Sequence, residues 1–375
     1  MNRNSFLCLY IANNPTGWKE NLAELGIDTK VTDNLAIFNY GIGCDFSNPL
    51  VQEARGIIID LNTLDVVCFP FRKFGNYGES YADKIDWASA RVQEKVDGSI
   101  MKLYFYNGKW NLATNGTIDA YANVGTYSTN GKSFGKLFDI GAEDAGLDYS
   151  RLDPAYTYIF ELVSPECPIV IQYPKTTIYH LGTRCNETGI EIVADIGIKK
   201  PKEYHLNSLE DCIASAKMMN ENAGLDALIG EGYVVVDKDW RRIKVKSPDY
   251  LQAHYCNTYT NPTDRRLLSI IRNNDVEEIC TYFPAFREKV DEFLRKYNLV
   301  RQEIKNYIEF CASDAEKMDR KTFFKNHGRD QWGAVAASYY YNDHEEIPNV
   351  DTYVDKHLEY TPMDRVVNLC KKYEK

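Results

Sequence analysis

A lysine stands two residues before an Asp-Gly turn in 94-EKVDGSIMKLYFYNGKW-110. Strand alternation through 91-RVQEKV-96 sets Val92, Glu94 and Val96 on one face and Arg91, Gln93 and Lys95 on the other. Asp97-Gly98 then turns the chain. Rigid strands on both sides of such a turn hold a side chain well enough for a nucleophile. Lys95 is therefore a candidate nucleophile, with a surface lysine ahead of a hairpin as the plain alternative. A second set lies in 241-RRIKVKSPDY-250, where Lys244 and Lys246 share one strand face and Ile243 and Val245 the other. Two ammonium groups on one face repel unless an anion lies between them, and a phosphate fits. A solvated charged face is the ordinary alternative. Upstream, 230-GEGYVVVDKDW-240 puts Glu231 at the start of a partner strand.

Glu161 interrupts the apolar and aromatic run 156-YTYIFELVSPE-166. A buried carboxylate is costly unless it is paired or binds a metal. A salt-bridged strand glutamate is the other reading. Arg55 opens the apolar stretch in 53-EARGIIID-60, and Lys73 sits among Phe69, Phe71 and Phe74. Aromatics interleaved with cations can stack a base and hold phosphates, and they also serve as core and rim. The acidic pair Glu277-Glu278 could mark a metal site, although acidic residues also favour helix starts.

The elements that must position these residues are short strands up to about residue 250. They include 56-GIIID-60, 100-IMKLYFY-106, 109-KWNLAT-114, 156-YTYIFELV-163, 176-TTIYHLGTR-184, 232-GYVVVD-237 and 241-RRIKVK-246. Asn107-Gly108 is a strong hairpin signal, because both turn positions tolerate positive φ. Segment 207–221 reads as a helix capped by Asn207 or Ser208. From Phe286 to Cys311, apolar residues recur at helical spacing, among them Val290, Phe293, Tyr297, Val300, Ile304 and Ile308. Segments 313–327 and 362–374 also read as helical. These patterns predict an α+β chain. An antiparallel-sheet N-terminal domain spans 1–252 and a small all-α C-terminal domain spans 253–375.

Composition narrows the classes. The 375 residues are 44% hydrophobic and 26% charged, an ordinary globular profile without an apolar run of membrane-spanning length. The N-terminus lacks a small-residue cleavage site and is not read as a signal peptide. Ten cysteines run from Cys8 to Cys370 with no CxxC pair, which points to reduced thiols in the cytoplasm. The net charge of −10 excludes a protein that coats nucleic acid through a general basic surface, so any such contact is local. The stretch 125-GTYSTNGKS-133 is not a phosphate-binding P-loop: five residues separate its glycines where that loop has four.

Taken in order, Arg55-Gly56, Lys73-Phe74, Lys95-Val96-Asp97-Gly98-Ser99, Phe160-Glu161, Glu231-Gly232 and Lys244-Val245-Lys246 resemble the motif series of covalent nucleotidyltransferases. That superfamily contains DNA ligases, RNA ligases and mRNA capping enzymes. Segments 37-IFNY-40, 53-EARGI-57, 184-RCNETG-189 and 319-DRKTF-323 are similar to the phage RNA ligase 1 family, the tRNA-repairing type. The sequence departs from that family at Asn115 in 113-ATNGT-117, where a basic residue is usual.

The resemblance implies a nucleotidyltransferase (adenylation) domain and an ATP-dependent RNA ligase. Lys95 would carry AMP, with Lys244 and Lys246 at the α-phosphate. Tyr40, Arg55, Lys73, Asp97 and Gly98 would surround the nucleotide. Glu161 and Glu231 would position Mg²⁺, for which Mn²⁺ can substitute. The implied partners are RNA ends bearing a 5′-phosphate and a 3′-hydroxyl, above all cleaved tRNA, with a kinase-phosphatase that prepares them. A monomer, in the cytoplasm of an infected host if viral and with no membrane contact, completes the expectation. A DNA ligase, a capping enzyme and a non-catalytic RNA-end-binding protein are the alternatives. For the basic segment 319–330, an RNA-facing surface and a core with a solvated flank are equal expectations.

Overall fold

The computed structural model describes residues 2–41, 44–122, 131–221, 228–255, 263–344, 347 and 349–373. The rejected P-loop segment lies mostly outside the described residues. The chain separates into two compact units. The first comprises Met1–Trp18, Ile27–Tyr40 and Cys44–Tyr259, and the second Lys19–Gly26, Gly41–Gly43 and Thr260–Lys375.

The first unit carries three antiparallel sheets. Strands β1 (Ile27–Thr32), β2 (Leu35–Tyr40), β3 (Arg55–Asp60) and β4 (Asp65–Cys68) form a meander in that order. The remaining strands are β5 (Arg91–Glu94), β6 (Ser99–Tyr106), β7 (Lys109–Thr114), β8 (Tyr156–Val163), β9 (Thr177–Cys185), β10 (Glu191–Ile192), β11 (Glu203–Tyr204), β12 (Gly232–Val236) and β13 (Arg242–Lys246). They form a sheet ordered β10-β9-β8-β6-β7 and another ordered β11-β5-β12-β13. The β6–β7 hairpin turns through Asn107 and Gly108 at φ of 51° and 77°, the left-handed pair expected there.

Each of the latter two sheets is covered by a helix. Phe134–Ala145, capped by Ser133, buries Leu137 and Phe138 against Met101, Phe160, Leu162 and Ile178. Leu209–Met218 buries Cys212 and Ala216 against Val92, Tyr233, Val235, Ile243 and Val245; its cap is Ser208, whose hydroxyl accepts from the Asp211 amide. Removing this apolar area from water is the main driving force, about 25 cal/mol per Å². It also fixes register: with Ile243 and Val245 in the core, Lys244 and Lys246 must emerge on the opposite face.

The N-terminal segment also folds inward. Ser5 caps the helix Phe6–Asn13, which buries Leu7, Cys8 and Ile11. Glu53 holds this start, accepting from the Ser5 hydroxyl and the Leu7 amide, each at 2.8 Å. The nine described cysteines are free thiols.

The second unit is helical. Arg287–Phe310 buries Val290, Phe293, Tyr297, Val300, Ile304 and Ile308 along one side. The single helix expected over 313–327 is instead two, Ala312–Lys317 and Arg320–His327. Met318 between them is extended (φ −120°, ψ 148°), and Asp319 caps the second helix by accepting from the Thr322 amide. The capping signal overrides helical periodicity here. Among the described residues no helix is long and apolar enough to cross a membrane.

Candidate active site

Two neighbouring rungs of the β5-β12-β13 ladder build the floor. Val234 pairs with Gln93 on one side and Lys244 on the other, and Gly232 pairs with Lys246. Lys95 continues β5, its amide donating to the Gly232 carbonyl at 2.9 Å. Gly232 therefore sits between the two lysines. It adopts φ 144°, and a Cβ there would meet the Val245 carbonyl oxygen at 2.2 Å. The carboxylate that meets both lysines comes from the preceding residue. Lys95 Nζ donates to Glu231 Oε2 at 2.8 Å, and Lys246 Nζ lies 3.6 Å from Glu231 Oε1.

The second wall comes from the β8 sheet. Glu161 pairs in register with Ile100 of β6 and Tyr179 of β9. A cavity of about 180 Å³ opens between these elements, lined among others by Arg55, Phe74, Lys95, Glu161, Lys244 and Lys246. The segment after Phe74 is tied to β13, because Lys244 N donates to the Gly75 carbonyl and Tyr77 N to the Lys244 carbonyl. The Arg55 guanidinium and the Lys244 ammonium lie 5.2 and 5.6 Å from the centre of the Phe74 ring.

Glu161 is 6% exposed and Glu231 3%. Burial pushes the Glu161 carboxyl up to about 8; Lys95 and Arg55 oppose that rise, while Glu231 and Asp97 add to it. Burial raises Glu231 as well, against the pull of Lys95 and Lys246. Two buried carboxyls this close disfavour one another's charge, and a cation beside them would relieve both. Glu161 and Glu231 thus have the chemistry of cation ligands. Among the described residues no three His, Cys, Asp or Glu side chains converge to hold a metal. A bound ion would complete its shell with water and substrate oxygens, as Mg²⁺ commonly does.

Other expected residues lie outside the lining of this cavity. The Lys73 ammonium sits over the rings of Tyr40 and Phe46, 5.2 and 4.8 Å from their centres, and neither Tyr40 nor Lys73 lines the cavity. Asp97 does not line the cavity either. Its carboxylate accepts from the amides of Val170 (2.9 Å) and Ile171 (2.7 Å) and from the Tyr250 hydroxyl (2.7 Å). Gly98 is required by close approach, since a Cβ would meet the Leu162 carbonyl oxygen at 2.3 Å. Glu277 and Glu278 do not converge on one ligand. Glu277 is ion-paired with Arg287 and Glu278 is buried, both in the first turn of Val276–Tyr282. Asn115 follows β7 at a turn and does not line the cavity.

Arg242 was not singled out from sequence and does line the cavity. It forks onto Glu191 at 2.6 and 2.5 Å. Strand parity with Lys244 and Lys246 was the available signal. Another unexpected residue is Lys102, fully buried in β6, whose ammonium donates to the Gly56 carbonyl beside Arg55.

Comparison with known proteins gives this geometry a family. The model of the RNA ligase family matches residues 53–250, which include Arg55, Lys95, Glu161, Glu231, Lys244 and Lys246. A protein of Autographa californica nuclear polyhedrosis virus, named for polynucleotide kinase and RNA ligase, is 29% identical over 290 residues. That alignment covers 72% of this chain but 40% of the viral protein. An RNA ligase of Rhodothermus phage RM378 is 25% identical over 351 residues, covering 77% of this chain and 79% of its own. A solved archaeal ATP-dependent RNA ligase is 13% identical and covers 78% of each chain at a TM-score of 0.45. With more than half of its length matched by the family model, the chain belongs to the RNA ligase family.

Proposed function

We propose that this protein is an ATP-dependent RNA ligase that works through a lysine-bound AMP. The observation that carries the reading is Lys95 Nζ, 2.8 Å from buried Glu231, in a cavity that also presents Arg55, Glu161, Lys244 and Lys246. Lys95, once neutral, attacks the α-phosphorus of ATP. A P–N bond forms, the bond to pyrophosphate breaks, and the amine proton is lost. The AMP then passes to the 5′-phosphate of RNA, which breaks the P–N bond and returns the amine. A 3′-hydroxyl finally attacks that phosphate and AMP leaves. Dividing one condensation into activated transfers is the gain of covalent catalysis.

The chain's own groups fit these steps. Lys244 and Lys246, held on one strand face, offset charge that builds on the α-phosphate. Arg55 lies on the same cavity wall and suits the phosphates or ribose. Lys95 Nζ is bonded to Glu231, so attack requires that contact to open. Glu161 and Glu231 would hold Mg²⁺ or Mn²⁺, which supplies positive charge at the phosphates when bound.

The finer reading is a monomer acting in the cytoplasm on cleaved tRNA prepared by a separate kinase-phosphatase. The viral relative, named for a polynucleotide kinase joined to an RNA ligase, supports the kinase part of that reading. The test is incubation with ATP, Mg²⁺ and 5′-phosphorylated single-stranded RNA. Joined RNA, pyrophosphate and AMP are the expected products. Preference for nicked DNA would point to a DNA ligase, and guanylylation from GTP to a capping enzyme. RNA binding without any of these would leave a non-catalytic end-binding protein.

A further inference from the structure

A second cavity, of about 310 Å³, adjoins the catalytic one and shares Phe71, Phe74 and Arg242 with it. Its far wall is Trp240, at the turn between β12 and β13. Trp240 holds φ 61°, a left-handed conformation that bulky residues rarely adopt. The turn is held in place by Asp237, whose carboxylate accepts from the amides of Asp239 (3.0 Å) and Arg241 (3.1 Å). Backbone strain of this kind persists where the surroundings over-determine it. Here it sets an indole face at the cavity mouth. The Arg91 and Arg242 guanidiniums lie 5.8 and 5.7 Å from the ring centre.

The charges of this cavity are balanced. Arg72, Arg184 and Arg242 face Asp83, Glu191 and Asp239, three of each sign. Arg242 is forked onto Glu191, with both side chains under 10% exposed, and Arg72 Nη2 donates to both carboxylate oxygens of Asp83, at 2.7 and 2.9 Å. An anion would have to break these pairs. An uncharged planar group would not. It would find two flat walls, the Trp240 indole and the phenylalanine rings, with the Arg242 guanidinium 4.3 Å from the centre of the Phe71 ring.

We infer that this cavity stacks the first nucleobase of the 5′-phosphorylated RNA strand. The inference rests on the ligase reading. In the adenylated RNA intermediate the AMP occupies the catalytic cavity. The donor's first nucleoside is then joined to the adenosine through a 5′–5′ pyrophosphate bridge, and Phe74 and Arg242 are the partition between the two spaces. Stacking on aromatic and guanidinium planes accepts any base, so the site holds the strand end without reading its sequence.

The full-length protein provides the test. Transfer of AMP to 5′-phosphorylated RNA is measured with an intact and with an abasic first nucleotide. The wild type should lose about ten-fold in kcat/KM on the abasic strand. Trp240→Ala should form lysyl-AMP from ATP at the wild-type rate, lose about the same factor on intact RNA, and no longer distinguish the two strands. Trp240→Phe should restore most of the discrimination. An equal rate of wild type on both strands overturns the assignment without any variant. A Trp240→Ala protein that keeps the full abasic penalty also overturns it. Loss of lysyl-AMP in folded Trp240→Ala would assign the cavity to ATP instead. If the wild type forms no lysyl-AMP at all, the ligase reading itself has failed, which is a separate result.

Discussion

Glu231 touches two lysines at once, and that contact decides how the residue-scale chemistry is tested. Glu231→Gln keeps the size of the side chain but removes the charge that pairs with Lys95 and would hold a cation. Adenylation should fall by at least about a hundred-fold, the usual scale for losing one electrostatic group at a reacting phosphate, while the fold survives. Unchanged labelling with radioactive ATP would remove Glu231 from the machinery. Lys102 makes a different prediction. Burial pulls its ammonium down to about 8, against about 10.4 in an unfolded chain. Between those values the unfolded state binds the proton and the folded state does not, so stability from this site rises with pH. Lys102→Met lacks that linkage. Denaturation at pH 8 and at pH 10 should show the wild type gaining on the variant by on the order of 2–3 kcal/mol. A constant difference would show that burial does not lower the proton affinity of Lys102.

Strands and helices determine which residues meet. Alternation in 241–246 correctly separates Lys244 and Lys246 from Ile243 and Val245, because one face of β13 is core. The same logic could not reveal that Glu231 meets both Lys95 and Lys246, since pairing of β12 with β5 and β13 is a long-range fact. Nor could it show Asp97 turned toward Val170, Ile171 and Tyr250; the partner residues are distant in sequence. Helical periodicity in 287–310 was legible, whereas the break at Met318 was hidden because residues 313–327 carry apolar spacing across a cap. Gly98 tests this scale. Gly98→Ala puts a methyl group against the Leu162 carbonyl, and β6 and β8 must part to admit it. The variant should lose both stability, by more than 1 kcal/mol, and lysyl-AMP formation. Wild-type melting and labelling would mean the turn has more room than the geometry allows.

At the scale of the whole molecule, a net charge of −10 means that the RNA contact of the proposed ligase is local. The basic segment 319–330 resolves into distinct parts. Phe323 is fully buried and Phe324 is 50% exposed. His327 is buried, with Nε2 2.8 Å from Asp314, while Arg320, Lys321, Lys325 and Arg329 are exposed. If this helix selects RNA, reversing Arg320, Lys321 and Lys325 to Glu should lower the ratio of ligation on a nicked tRNA stem-loop to ligation on plain single strands. Lysyl-AMP formation should be unaffected. The comparison is made at fixed salt, because phosphate contacts are salt-sensitive. An unchanged ratio would place substrate choice elsewhere. All of this depends on one bond, between Lys95 Nζ and the phosphorus of AMP. Incubation with ATP and Mg²⁺, followed by proteolysis and tandem mass spectrometry, locates that bond directly. One AMP is expected on the peptide containing Lys95 and none in Lys95→Ala; AMP on another residue, or an unmodified protein, would contradict a lysyl-AMP at Lys95.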